Sequence, residues 1–145
     1  MQKRQDALNG PVVRRWTRHP RCVGLAREEL AKTLAAWGMA EVEDAALVVL
    51  SELVTNAVIH ARVSPGREIE TRFQLAGADL RIEVHDSSDV RPRSQDPSSE
   101  SERGRGLSLV SALADQWGIS ERDGVGKSVW ALIAYRHRSA SADGR

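Results

Sequence analysis

Cysteine is almost absent from this sequence, since Cys22 is the only one among 145 residues. A lone cysteine excludes an internal disulfide. A chain of this length can bury one ordinary core without disulfides or a structural metal. The free thiol is typical of a reducing compartment, so we expect an intracellular, cytoplasmic protein.

Long hydrophobic runs are also missing. The start, MQKRQDALNG, has basic residues but no apolar stretch behind them, and no later segment approaches membrane-spanning length. The sequence therefore predicts a soluble protein without a signal peptide or a membrane anchor.

An excess of charge of one sign is lacking as well, because the formal net charge is only +1. Without a basic field there is little to attract a phosphate backbone, so direct nucleic-acid binding is not expected. We interpret the small basic clusters at Arg14–Arg15 and at residues 136–138 as solvated charges.

Hydrophobic periodicity predicts the elements that are present. Extended residues between two prolines favour a strand over Val12–Thr17, and apolar spacing of three and four predicts a helix from Arg21 to Trp37, ended by Gly38. The remaining predicted elements are a long, mostly buried helix over 41–62, a hairpin of strands over 68–75 and 79–85 around the turn AGAD, a helix over 106–117, and strands over 119–122 and 127–135 around the turn DGVG.

This order of elements predicts an α+β two-layer sandwich, with three helices packed on a mixed, mostly antiparallel sheet. We expect one domain over residues 11–136, with disordered tails at 1–10 and 137–145. The Ser- and Pro-rich stretch after Asp86 has little to bury, so residues 88–105 are predicted to form a flexible lid.

A polar stripe interrupts the apolar second helix. Glu52, Asn56 and His60 are spaced four apart and therefore share one face. The simpler interpretation is an ordinary amphipathic face that begins at Glu52. The alternative is a magnesium site, because Mg²⁺ needs only one or two protein oxygens in addition to nucleotide phosphates.

Two further features accompany the stripe. Asp86 follows a predicted strand, where a carboxylate can accept the amino hydrogens of adenine, although an Asp that starts a turn is the commoner case. The run Gly104-Arg105-Gly106-Leu107 leads into a helix whose first N–H groups can bind an anion, or it serves only as a flexible junction.

Four segments follow one another along the sequence: ELVTNAVIHA, a strand ending in HDSS, GRGLSLVSALADQWG and GKSVWALI. In this order and context they resemble the ATP-binding domain of the GHKL superfamily, which includes gyrase and histidine kinases. Within it, the chain most resembles the short actinobacterial anti-sigma-factor serine/threonine kinases. The resemblance covers residues 12–133. It implies the histidine-kinase-like ATPase fold, with ATP and Mg²⁺ as ligands.

The resemblance also implies roles for individual residues. Asn56 would ligate magnesium, Glu52 would be the general base for phosphorylating a protein hydroxyl, and Asp86 would hold the adenine amino group. The phosphates would lie on the turn Gly104, Arg105, Gly106 and Leu107, and Ser128 would support the adenine pocket. For His60, a packing role is as consistent with the pattern as a catalytic one.

One part of the family pattern is missing. Where the family has D-x-G-x-G, this chain has Asp86-Ser87-Ser88-Asp89-Val90, without either glycine. Glycines there allow close approach of the backbone to the base and movement of the lid. Two functions therefore stay open: an anti-sigma factor that phosphorylates its antagonist, and a non-catalytic protein-binding module with weak or structural nucleotide binding.

The resemblance further implies partners, namely a sigma factor and an anti-sigma-factor antagonist protein. It also suggests a homodimer through the first strand and helix, for which Val13 and Leu25 would have to be exposed.

Overall fold

The computed structural model describes residues 10–60, 68–86, 107–121 and 127–135. The elements in chain order are β1 (Val12–Thr17), α1 (Arg21–Trp37), a 3₁₀ turn (Ala40–Val42), α2 (Glu43–His60), β2 (Glu68–Ala76), β3 (Asp79–Asp86), a helix over 107–113 that we call α3, β4 (Gln116–Glu121) and β5 (Lys127–Ile133). The predicted tails, the predicted lid and the DGVG turn lie outside the described residues.

Helix α1 has the predicted bounds and buries Leu30 and Leu34 on one face. It ends at Gly38, which has a φ of 72°. The N–H of Gly38 donates to the carbonyl of Ala35 and that of Met39 to the carbonyl of Leu34. This arrangement satisfies the last carbonyls of the helix, and it needs a residue that tolerates positive φ.

Helix α2 starts later than predicted. Residues 40–42 form a 3₁₀ turn, and the α-helix runs from Glu43 to His60, with Glu43 and Asp44 in its first turn. The acidic start complements the helix dipole as expected. Residues 61 and 62, which were also predicted to be helical, are outside the description.

The five strands form one sheet in the order β1-β2-β3-β5-β4, and all four pairings are antiparallel. The predicted β2–β3 hairpin is present, with Gly77 at a φ of 66° in its turn. The helices contact one surface of the sheet, so the predicted α+β sandwich is confirmed.

The two surfaces of the sheet differ in composition. The helix-facing surface carries the buried side chains of Ile69, Phe73, Ile82, Val84 and Ala131, which pack against α1 and α2 in the core. Because side chains alternate along a strand, the residues between them point to the opposite, outer surface.

The third helix was predicted to reach Trp117, and this is wrong at its C-terminal end. The helix stops at residue 113, and the N–H of Asp115 donates to the carbonyl of Leu132 on β5 at 2.8 Å. Trp117 lies in β4 opposite Ala131. Its helical spacing misled the prediction, because the indole still reaches back to α3 and donates to Ser111 Oγ at 2.7 Å.

Candidate functional site

Glu52 and Asn56 lie one turn apart on α2, and both are half-buried. The neighbouring Val49 and Leu53 are buried in the core. The polar stripe therefore runs along the flank of the buried face, where it meets solvent. The structure describes the backbone of His60 at the end of this helix but not its side chain.

Asp86 is the last residue of β3 and is buried, with 7% of its surface exposed. It lies opposite Ile69 on β2, whose side chain is part of the core. Asp86 is therefore on the helix-facing surface of the sheet, and β3 is a strand that α2 contacts. The helix that carries the predicted stripe thus packs on the strand that ends in the predicted adenine residue.

Ser128 does not share this surface. On β5 it pairs with His85, whereas the register position opposite Asp86 is Lys127. Adjacent residues of a strand point to opposite surfaces, so Ser128 lies on the outer surface, where it is buried. The structure therefore places Ser128 and Asp86 on opposite surfaces of the sheet. This could not be predicted, because the sequence alone does not reveal the register of β3 against β5.

The predicted phosphate turn is only partly described. Gly104, Arg105 and Gly106 lie outside the described residues. Leu107 is helical, 8% exposed, and belongs to the hydrophobic core. Its side chain therefore anchors α3 to the sheet.

A row of polar contacts on the outer surface was not predicted from the sequence. The Oε1 and Oε2 atoms of Glu83 lie 2.7 Å from His85 Nε2 and 2.6 Å from Arg81 Nε, and the Arg81 guanidinium stacks 4.6 Å from the centre of the Trp130 ring. His85 precedes Asp86 and pairs across the sheet with Ser128. The alternating charged residues of β3 indicate contacts along this strand, but the partners on β5 depend on strand register.

The polar contacts of this row favour an ionised Glu83. Burial by itself would raise the pKa of this carboxyl, but hydrogen bonds from Arg81 and His85 and the attraction of their charges outweigh burial, so the pKa of Glu83 is lowered. The side chains of Glu83 and His85 are only 14% and 11% exposed, so solvent screens these contacts weakly.

Within the described ranges, no group of three or more His, Cys, Asp or Glu side chains is placed to hold a metal ion. The oxygen donors that are present, the amide of Asn56 and the carboxylate of Glu52, are of the type that Mg²⁺ takes when phosphates supply its other ligands. These residues fit a magnesium nucleotide by their chemistry and exposure. No helix in the part of the chain that the structure covers is both long and apolar enough to cross a membrane.

Comparison with known families identifies the architecture. Residues 10–133 match the sequence model of the histidine kinase-like ATPase domain. The chain belongs to this family. The match covers every described element and agrees with the resemblance to GHKL-type ATPases, so the protein is an ATP-binding one. A search of curated proteins gave no match.

Proposed function

We propose that this histidine kinase-like ATPase domain is an anti-sigma factor that transfers the γ-phosphate of ATP to a serine or threonine hydroxyl of an antagonist protein. The observation that carries the proposal is the half-buried pair Glu52 and Asn56 on the flank of α2, a helix that packs on the strand ending in the buried Asp86. The family membership supports ATP binding, and the pair Glu52 and Asn56 supports phosphoryl transfer.

Asp86 would select adenine in this proposal. A buried carboxylate accepts hydrogen bonds and donates none when it is ionised. The amino group of adenine satisfies such an acceptor, whereas guanine presents an oxygen at the equivalent position. Discrimination against guanine nucleotides would then follow because the guanine oxygen cannot donate a hydrogen bond to the carboxylate.

Asn56 would hold Mg²⁺ through its amide oxygen, and the metal would neutralise charge on the phosphates when bound. Glu52, one helical turn away, would accept the proton of the attacking protein hydroxyl. Because the two residues are not enclosed in the core, a substrate hydroxyl can approach them from solvent. Phosphoryl transfer needs little more from the protein than this positioning and one proton acceptor.

The alternative, a binding module that uses nucleotide only weakly or structurally, is favoured by Ser88 and Val90 at the positions of the family's glycines. Side chains there restrict how closely the backbone can approach the base. Under this alternative Asn56 and Asp86 would still matter for nucleotide binding, but Glu52 would not matter for any transfer.

The first prediction separates these functions through Glu52. Proteins from a lysate of the source organism that bind the immobilised chain would be incubated with it and γ-labelled ATP. We expect a labelled acceptor with the wild type and a loss of about 10²-fold or more with Glu52→Gln, because the base is removed while the shape is kept. Affinity for Mg-ATP should be unchanged.

The matched control is Glu43→Gln, which makes the same change on the same helix about 13 Å away along its axis. It should retain full transfer. Equal labelling by wild type and Glu52→Gln would reject Glu52 as the base. Binding of Mg-ATP without a labelled acceptor would favour the binding module.

A further inference from the structure

Strand β1 forms one edge of the sheet, since its only neighbour among the described strands is β2. In an antiparallel edge strand, every second residue directs its N–H and C=O away from the sheet. These groups of β1 lie along an edge to which another extended segment can hydrogen-bond.

A groove lies beside this edge, between β1 and the first turns of α1. Its volume is about 490 Å³, and its lining includes Arg15, Trp16, His19, Arg21, Cys22 and Leu25. Leu25 is 46% exposed, and Val13 on the outer surface of β1 is 44% exposed. The edge therefore has apolar contacts for the side chains of a bound strand as well as free backbone groups.

The groove is also cationic. Its lining includes the guanidinium groups of Arg15 and Arg21 and no acidic side chain. Arg14 and Arg15 reach Glu29 and Glu70 at 3.4 and 3.6 Å, yet their own side chains remain 58% and 70% exposed. No carboxylate in the described part of the chain pairs with Arg21, so the positive charge of the groove is incompletely neutralised.

This charge argues against a second copy of the chain as the occupant. A symmetric antiparallel pairing of two β1 strands near their centre would place either Arg14 or Arg15 directly opposite the same arginine of the other copy. Like charges directly opposite each other across a strand pair are destabilising. An acidic strand would meet the arginines with opposite charge instead.

We propose that the edge of β1 and this groove bind an extended acidic segment of a partner protein, which adds to the sheet as a further strand. The backbone supplies its hydrogen bonds, Leu25 and Trp16 contact its apolar residues, and Arg15 and Arg21 meet its carboxylates. Cys22 takes no chemical part, because it is buried and burial raises the pKa of its thiol. The surface is independent of the proposed nucleotide function.

The test uses the full chain and three fluorescein-labelled peptides of six residues, matching the six of β1. The first alternates glutamate and valine, the second replaces glutamate by lysine, and the third replaces the valines by proline, which keeps the charge but removes backbone donors. We expect the acidic peptide to bind, the lysine peptide not to bind, and the proline peptide to bind about tenfold more weakly, since it loses two or more hydrogen bonds.

Two variants locate the site. Arg21→Glu should weaken the acidic peptide about fivefold or more, because an attraction becomes a repulsion. Lys32→Glu makes the same charge change at an exposed position further along α1 and should leave binding unchanged. Equal effects of both variants, equal binding of the acidic and proline peptides, or no binding of the acidic peptide would overturn the proposal. A dimer in sedimentation that Arg21→Glu alters would overturn it in favour of a second copy.

Discussion

At the scale of single residues, Glu83 shows how neighbouring side chains change the pKa of a carboxyl. It receives a hydrogen bond from Arg81, contacts His85, and has a lowered pKa. A carboxyl whose pKa is lower in the folded than in the unfolded state stabilises the fold above its unfolded pKa. That stabilisation is lost as the pH falls through the folded pKa.

This gives a prediction about pH dependence. We expect Glu83→Gln to lower the free energy of unfolding at about pH 7 by about 1.5 to 3 kcal/mol, the usual range for hydrogen bonds to charged groups. The difference from the wild type should shrink as the pH falls below the ordinary value of 4.5 and through the lowered pKa of the folded state, where the wild-type carboxyl also becomes protonated. Denaturant unfolding at several pH values measures it, and a difference independent of pH would contradict the assigned ionic role.

At the scale of secondary-structure elements, the sequence predicted β1, α1 and the β2–β3 hairpin well, because prolines, Gly38 and strict alternation mark them locally. It failed where tertiary contacts decide. Trp117 continues the apolar spacing of α3, yet pairing with β5 extends the chain there. Likewise, the sequence pattern around Glu52, Asn56 and Asp86 marked these residues as candidates. The placement of Ser128 and the row of contacts from Trp130 to His85 depend instead on strand register, which no local pattern gives.

Close packing between β4 and β5 supplies the next prediction. A Cβ added at Gly118 would lie 2.8 Å from Cζ2 of Trp130, the ring on which Arg81 stacks. We expect Gly118→Ala to displace this ring and to destabilise the protein by about 1 to 3 kcal/mol, as overpacking does. Thermal unfolding with matched urea unfolding measures the change.

Gly24→Ala is the matched control. Gly24 lies in α1 with nothing within 4 Å of an added Cβ, so alanine there should stabilise the protein by about 0.5 to 1 kcal/mol. Destabilisation by both variants, or by neither, would mean that the Trp130 contact does not restrict position 118.

For the whole molecule, nucleotide binding and folding are linked, because a ligand that binds only the folded state stabilises it. Mg-ATP at about 100 times its dissociation constant should add about 2.7 kcal/mol. In a domain of this size, that corresponds to a rise in melting temperature of about 5 to 10 °C. Mg-GTP should give a smaller rise.

Two alanine variants test which sheet surface takes part. Asp86→Ala should reduce the difference between Mg-ATP and Mg-GTP, because the buried acceptor is lost. Ser128→Ala should leave it nearly unchanged, because Ser128 lies on the outer surface. A loss of discrimination with Ser128→Ala alone would instead support the role that the family resemblance implies for this serine.

The sheet order also bears on how the protein is made. Strand β5 lies between β3 and β4, so the centre of the sheet is completed by the last described strand to leave the ribosome. It follows β3 by about 40 residues, which corresponds to about 2 to 8 s of synthesis. During that interval β3 has an open edge next to Asp86. The nascent chain therefore has an unpaired edge at β3 until β5 has been synthesised.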